Sequence, residues 1–367
     1  MATVFFYNFI LLSSTFFVWL SDKGHSKVDR WVLLGIAFLL VFIPSAIRYD
    51  IGTDYFSYLE IYENASLLES YKFKEPGFYF VNSVLSNIGA NFQWMFTVFA
   101  FIFTAVAFRA YPKNNAWLLH FLFFSMLWFF SFNGIRQAVA LAWCLLAVFN
   151  FFERRYFTFF VLTFIASNFH QSALFITLTG GAALLPLGST FKSRIAPIVF
   201  IGFIIFTFFS MNIVLLYMEQ LLNIIGMTKY SSYFSNSKHF LERDFGSGLG
   251  ILAKLIFCIY VIINTKHLIT INKRYWLVAI LTFVYALSSI IAMNIVIFER
   301  MLITFTLGPV IGAYLLFLIA ENILPNRLAL SFFLLLLLLS FVKDSFGIKT
   351  TYGDPKKNPY QTIFIAK

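Results

Sequence analysis

The sequence predicts an all-α polytopic membrane protein with about twelve transmembrane helices. Hydrophobic residues make up 60% of the 367 residues and charged residues only 12%, a composition that excludes a soluble globular domain. Apolar runs of about 17–20 residues, long enough to cross a bilayer, recur along the whole chain. Short loops rich in Lys and Arg separate many of these runs, as is typical of the cytoplasmic side of a membrane protein.

The apolar runs define the predicted helices. In the first half of the chain these helices span 3–20, 31–47, 91–109, 117–132, 134–152 and 156–168. In the second half they span 172–187, 195–210, 249–264, 275–293, 301–319 and 328–342. Basic residues follow the first run and none precedes it, so we expect a retained span with its N-terminus outside and no cleaved signal peptide.

Alternate loops of a twelve-helix protein lie on the same side of the membrane. The short basic loops are assigned to the cytoplasm, and the opposite, periplasmic side receives the long loops 48–90 and 211–248 and the tail 343–367. The tail carries several Lys, which suits the cytoplasm better, and an odd number of helices would place it there. We expect one integral membrane domain over residues 1–367.

The two long loops have different patterns. In loop 48–90, Tyr55, Tyr58 and Tyr62 recur at helical spacing and are expected to share one helix face. A short amphipathic helix in the membrane surface is predicted after Pro76, because apolar and polar residues separate onto two sides. Its apolar side is predicted to contain Phe78, Val81, Leu85 and Ile88, and its polar side Asn82, Ser83, Ser86 and Asn87. Loop 211–248 is rich in Tyr and Ser, and we expect a substrate lid there.

Three arginines contradict the bias of basic residues toward the cytoplasm. Arg48, Arg136 and Arg300 are all predicted at the external edge of the membrane. One interpretation is a cationic pocket for a phosphate or pyrophosphate, which the planar guanidinium group binds well. The alternative is that each side chain reaches lipid headgroups or pairs with a neighbouring carboxylate.

Candidate proton acceptors lie on the same predicted side. His170 ranks first because imidazole titrates near neutrality. Asp54 and Glu75 are the carboxylates with the most structured surroundings, and either one acts as the general base or orients an arginine. An interfacial His that is hydrogen-bonded to backbone is the simpler interpretation of His170. Tyr55 and Tyr58 either stack on sugar rings or belong to an aromatic belt at the interface.

Several classes of chemistry are not expected. No His, Cys or carboxylate pair has the spacing of metal ligands, so neither a metal site nor a cofactor is predicted. The net charge of +11 comes from Lys and Arg scattered among short loops, so no nucleic-acid partner is expected. Both cysteines lie inside apolar runs, which argues against a disulfide framework.

Several short motifs resemble those of a known family. The segment Arg48-Tyr-Asp-Ile-Gly-Thr-Asp-Tyr55, followed about twenty residues later by Glu75-Pro-Gly-Phe78, resembles the opening motif of the EpsG-like family. This family is grouped with the Wzy-type O-antigen polymerases. Later segments look like its other motifs: Gly134-Ile-Arg-Gln137, Phe169-His-Gln-Ser-Ala-Leu174, Glu299-Arg300 and Asn358-Pro-Tyr-Gln-Thr-Ile-Phe364.

The resemblance implies a multi-pass glycosyltransferase of the bacterial inner membrane that acts on the periplasmic face. Its donor is a glycan chain on undecaprenyl pyrophosphate, and its acceptor is one repeat unit on the same lipid. The implied partners are these two substrates, the lipid bilayer and a chain-length regulator. With this function, Arg136, Arg300 and Arg48 are expected to contact pyrophosphate, Gln137 to contact substrate, and His170, Asp54 or Glu75 to accept the proton.

Two alternative functions remain at this stage. An O-antigen ligase would hand the same donor to a different acceptor, but the Gly-Thr-Asp-Tyr and Glu-Pro-Gly-Phe motifs favour the polymerase. A flippase or transporter of lipid-linked oligosaccharide would require charged residues along a central cavity. In this sequence the charges inside the spans are few, and the polar residues concentrate on one predicted face of the membrane.

Overall fold

A computed structural model describes residues 1–24, 26–210, 249–293, 298–319, 324–347 and 356–364, together with a few positions between 217 and 224. These residues are almost entirely helical, and among them the only β pairing is an isolated antiparallel bridge between Arg48 and Thr362. The predicted all-α class is therefore confirmed over the described part of the chain.

The helices follow one another with short connections. The first eleven are α1 (Ala2–Lys23), α2 (Lys27–Ala46), α3 (Tyr55–Glu63), α4 (Ala65–Glu69), α5 (Pro76–Asn87), α6 (Gln93–Arg109), α7 (Ala116–Leu127), α8 (Phe130–Asn133), α9 (Ile135–Phe152), α10 (Tyr156–Phe169) and α11 (Ala173–Ala183). The others are α12 (Ala196–Phe209), α13 (Leu249–Ile263), α14 (Thr265–Ile271), α15 (Trp276–Ile291), α16 (Phe298–Phe305), α17 (Leu307–Ile319) and α18 (Leu324–Ser345).

The described helices identify a multi-pass membrane protein. Seven helical segments are long and apolar enough to cross a membrane, and an eighth is obtained if the bent pair α13 and α14 counts as one span. Four further apolar helices, α6, α7, α10 and α11, have only 10–17 residues. Each predicted apolar run contains a helix, but the number of twelve spans stays a prediction.

The described residues divide into two compact units. The first unit comprises Met1–Thr177 and Ile323–Lys367, and the second comprises Leu178–Asn322. In the first unit, α9 is the most buried span, and it packs against α6 and α10. Arg136 is the second residue of α9, so a largely buried helix holds the backbone of this arginine in place.

Loop 48–90 folds into α3, α4 and α5. The shared face predicted for α3 is confirmed, because Tyr55, Tyr58 and Tyr62 are its buried residues. The face predicted for α5 is partly wrong, because Asn82 lies on the buried side with Phe78 and Leu85. Its Nδ2 donates to the Phe78 carbonyl over 2.8 Å, whereas its buried Oδ1 has no hydrogen-bond partner among the described residues.

The exposed apolar side of α5 is formed by different residues from those predicted. Phe80, Val84 and Ile88 recur one helical turn apart and are all exposed. Of the residues predicted on the apolar side, Ile88 alone belongs to this stripe. The sequence alone could not identify this face, because it depends on which side of α5 packs against α6 and α10.

The end of the chain returns to the N-terminus of α1 and to the start of loop 48–90. The Tyr360 hydroxyl donates to the Pro44 carbonyl, and the Tyr7 hydroxyl donates to the Lys357 carbonyl. Residues 356–364 therefore lie beside the start of loop 48–90, and the membrane face on which both lie stays a prediction.

Candidate functional site

A carboxylate, a guanidinium and an imidazole from three separate motifs meet in the first compact unit. Glu75 Oε2 forms an ion pair with Arg136 Nη1, and Glu75 Oε1 lies 4.0 Å from His170 Nε2. The Glu75 side chain is 8% exposed, that of His170 14% and that of Arg136 20%. We call Glu75, Arg136 and His170 the polar cluster.

The polar cluster is assembled by the ends of three helices. Glu75 directly precedes Pro76 at the start of α5, where a missing backbone N–H costs nothing. His170 is the residue that follows the end of α10. The two segments approach closely at Gly77, where a Cβ atom would lie 3.1 Å from the Asn168 carbonyl oxygen. Glycine at this position therefore allows α5 to bring Glu75 to His170.

Aromatic rings surround the guanidinium of Arg136. Its Cζ lies 4.8 Å from the centre of the Tyr71 ring, 5.3 Å from Phe78 and 5.8 Å from Tyr58. Ring faces attract a cation and exclude water, so these contacts strengthen the pairing of Arg136 with Glu75. The Nε of Arg136 is buried and has no hydrogen-bond partner within the described ranges.

The surroundings of His170 determine its tautomer. The Ser172 backbone N–H donates to Nδ1 over 3.3 Å, and the Ser172 hydroxyl lies 2.7 Å from the same nitrogen. Because Nδ1 accepts a hydrogen bond, the proton of the neutral ring lies on Nε2, which points toward Glu75. Neutral His170 therefore offers a donor, and not a lone pair, toward the carboxylate.

Arg48 lies within the protein, 1% exposed. Its guanidinium donates to the carbonyls of Ser45 and Phe132, at 2.9 Å and 3.2 Å, and lies over the rings of Phe96 and Phe132. Burial lowers the pKa of Arg48 to about 10, so the group remains a cation at neutral pH. This geometry favours a structural role for Arg48 over the direct pyrophosphate contact expected from the sequence.

The segment that follows Arg48 binds the corner before α9. The Thr53 backbone N–H donates to Asn133 Oδ1 over 2.7 Å. Gly52 has a positive φ of 98°, and a Cβ atom there would lie 2.5 Å from the Phe132 carbonyl oxygen. Only glycine allows this close contact, which explains the glycine in the first motif.

The remaining predicted residues of the loop differ in exposure. Tyr55 is fully buried, stacks on Phe96 at 4.6 Å between ring centres and donates to Gln93 Oε1. Tyr58 is 4% exposed, and burial raises its pKa although Arg136 opposes the shift. These positions favour support of the polar cluster over stacking on a sugar. Asp54 is exposed at the start of α3.

Two predicted elements lie in the second compact unit or outside the described residues. Arg300 is exposed in α16, which belongs to the second compact unit, and its backbone carbonyl accepts from the Thr304 hydroxyl. Loop 211–248, predicted as a lid, lies almost wholly outside the described residues. Gln137 is the third residue of α9, directly after Arg136, and is 4% exposed.

Tyr71 and Ser172 contribute to the site, but neither was selected from the sequence. Ser172 stands two residues after His170, a spacing that suits a hydroxyl that contacts Nδ1. Nothing in the sequence distinguished Tyr71 from the other Tyr residues of loop 48–90. Throughout the ranges that the structure describes, no group of three His, Cys, Asp or Glu side chains is arranged to hold a metal ion.

Comparison with known proteins gives one match. The family model of the EpsG family matches residues 31–362. This range includes every residue of the polar cluster and the segment that pairs with Arg48. Searches of curated protein sequences and of solved structures gave no match.

Proposed function

Because the chain belongs to the EpsG family, we propose that it polymerises oligosaccharide repeat units carried on undecaprenyl pyrophosphate. The growing glycan is transferred from its lipid carrier to a single repeat unit on a second carrier, on the periplasmic face of the inner membrane. The product is an O-antigen or exopolysaccharide. The observation that carries the proposal is the polar cluster, which combines a cation, a carboxylate and an imidazole in a shielded position.

The transfer makes one bond and breaks another. A hydroxyl oxygen of the acceptor sugar attacks the anomeric carbon of the donor, and the bond from that carbon to the pyrophosphate oxygen breaks. The electron pair of that bond leaves with the pyrophosphate. The hydroxyl proton passes to a base of the protein. The site must therefore stabilise developing negative charge and accept one proton.

Arg136 is the proposed partner of the pyrophosphate. Its guanidinium is held by Glu75 and three rings, and 20% of its side chain is exposed. A cation positioned in advance costs little reorganisation as charge develops. Arg300 is proposed as a second pyrophosphate contact and Gln137 as a contact of the sugar, both by resemblance of their motifs.

Glu75 is the proposed proton acceptor. Since His170 Nδ1 accepts from the Ser172 N–H, the neutral ring carries its proton on Nε2 and cannot accept another there without rearrangement at Ser172. Glu75 is a carboxylate between two donors, and His170 is suited to orient it. Asp54 is exposed and has less support from its neighbours. We therefore rank Glu75 ahead of His170 and Asp54 in this role.

The proposal of a lipid-linked substrate is supported by an apolar groove in the first compact unit. It has a volume of about 610 Å³ and lies between the end of α2 and the start of α6. Its apolar lining includes Phe42, Ile43, Phe92, Trp94 and Ile363. Tyr49 and Gln93 border the same groove, so its polar end adjoins the first motif. A chain-length regulator is proposed as a partner by family resemblance alone.

The test is the surface-polysaccharide profile of a deletion strain on gels. The strain is complemented with wild type, Arg136→Ala, Arg300→Ala, Glu75→Gln or His170→Ala, at matched abundance in the membrane. Arg109→Ala serves as the control, because Arg109 is exposed at the opposite end of α6 from loop 48–90. We expect single-repeat glycan in the deletion strain and a restored ladder only with wild type and the control.

Other profiles identify other functions. Long chains that remain on their lipid carrier in the deletion strain would indicate an O-antigen ligase. A deletion strain in which lipid-linked repeat units accumulate only on the cytoplasmic side would indicate a flippase. A ladder that persists in full without the gene would contradict all three glycan functions.

A further inference from the structure

We infer that the C-terminal segment Lys356–Phe364 is a positioning element for Arg136, which it controls through the start of loop 48–90. This inference rests on the proposed function for its activity measurement, but its structural measurement does not. We call Lys356–Phe364 the C-terminal strap and residues 47–53 the motif loop. Both belong to the first compact unit.

The C-terminal strap pairs with the motif loop along its length. The Tyr49 backbone N–H donates to the Gln361 carbonyl over 3.0 Å, and the Gly52 N–H donates to the Lys356 carbonyl over 3.1 Å. Ile363 N–H donates in turn to the Ile47 carbonyl over 3.1 Å. These bonds flank Arg48, which forms the isolated bridge with Thr362. The strap therefore supplies backbone partners that the motif loop cannot find within itself.

Side chains secure the two ends of this pairing. Lys356 Nζ forms an ion pair with Asp50 Oδ1 at 2.8 Å, and both side chains are about one third exposed, 36% and 32%. At the other end, the Tyr360 ring lies 4.6 Å from that of Phe6, and its hydroxyl donates to Pro44. The strap is thus attached to α1 and α2 as well as to the motif loop.

The motif loop in turn contacts the corner from which α9 begins. Arg48 Nη2 donates to the Phe132 carbonyl over 3.2 Å, and Thr53 N–H donates to the Asn133 side chain over 2.7 Å. Arg136 follows three residues after Asn133, at the start of α9. A displaced motif loop would shift this corner and the guanidinium with it. The route from strap to loop to corner to Arg136 consists wholly of direct contacts.

The experiment uses charge reversal at the exposed end of the strap. Lys356→Asp and Asp50→Lys each place two like charges together, whereas the double variant restores an opposite pair. Lys343→Asp is the control, because Lys343 is exposed in the last turn of α18. Initial rates are measured in proteoliposomes with a lipid-linked single repeat unit. Backbone hydrogen exchange is measured on peptides that cover 48–55 and 130–137.

We expect each single reversal to lower the rate about tenfold, since misplacement by about 1 Å can cost a hundredfold. The double variant should recover to within about twofold of wild type, and Lys343→Asp should not differ from it. Backbone hydrogen exchange should be faster in both peptides for the single variants and return to the wild-type rate in the double variant. When Arg136 is already replaced by Lys, Lys356→Asp should lower the transfer rate by less than about twofold more. The reason is that the effect of Lys356→Asp acts through Arg136.

Several results would overturn the inference. The first is faster hydrogen exchange in peptide 48–55 without any change in peptide 130–137. The second is a double variant whose transfer rate is no higher than that of the single variants. The third is a loss of transfer rate from Lys356→Asp that is as large in the Arg136→Lys background as in wild type. If a single reversal fails to accumulate, Lys356→Gln and Asp50→Asn replace it, with a smaller rise in exchange expected. If wild type forms no polymer while exchange behaves as expected, the proposed function fails and the positioning role stands.

Discussion

Replacing Glu75 with Gln removes one negative charge from the polar cluster and keeps the shape of the side chain. In the structure, Glu75 pairs with Arg136 and lies 4.0 Å from His170 Nε2. The Glu75 side chain is 8% exposed and that of Arg136 is 20% exposed, so solvent screens this pair only weakly. The variant therefore tests both the stability and the chemistry assigned to the carboxylate.

The magnitude follows from the kind of hydrogen bond that is lost. The variant keeps one hydrogen bond to the Arg136 cation, which contributes about 1.5–3 kcal/mol, out of the about 3–5 kcal/mol that loss of the whole buried partner would cost. Because the amide oxygen still accepts from Arg136, we expect Glu75→Gln to lower the free energy of unfolding by about 1–2 kcal/mol. Complete removal of a buried partner would cost more, about 3–5 kcal/mol. Loss of a general base should lower the transfer rate by about 10²–10⁴.

Two measurements separate these effects. The free energy of unfolding is followed in detergent by denaturant titration, and the transfer rate is measured with a lipid-linked single repeat unit. Glu69→Gln is the matched control, because Glu69 pairs with Lys72 in the same loop and both side chains are about half exposed. We expect the control to resemble wild type in both assays. A transfer rate of Glu75→Gln equal to that of wild type would refute the assignment of Glu75 as base.

Three further predictions address other parts of the site. Arg136→Lys should shorten the polymer ladder without abolishing it, because an ammonium group keeps the charge but cannot reproduce the planar fork of guanidinium; an unchanged ladder on gels would contradict this. Gly52→Ala should lower the yield of folded protein extracted from membranes, because its Cβ would lie 2.5 Å from the Phe132 carbonyl oxygen and φ is 98°. Gly89→Ala, also at positive φ but with open space around it, is its control and should have a smaller effect. Treatment with EDTA should leave polymer formation by purified protein unchanged, and a loss that Mg²⁺ restores would show a metal requirement.

The sequence alone was sufficient to predict the helical class, the membrane location and the approximate position of each apolar helix. The reason is that a bilayer requires long apolar runs in which backbone hydrogen bonds form within each helix. The chemistry and predicted location of the side chains also selected Glu75, Arg136 and His170, three residues that the structure brings together. Which arginine Glu75 orients was not predicted, because the three residues lie about 35 to 95 residues apart and no local pattern relates them.

The distinction between a substrate contact and a structural cation required the tertiary structure. Arg48 and Arg136 are similar in the sequence, since each is a basic residue at the predicted external edge of a helix. Arg48 is enclosed by carbonyls and rings, whereas Arg136 keeps 20% of its side chain exposed beside a carboxylate. The role of the C-terminal strap is equally a tertiary property, because its partners stand some 300 residues earlier. Local composition determines which segments enter the membrane, and long-range packing alone decides which polar groups remain available for chemistry.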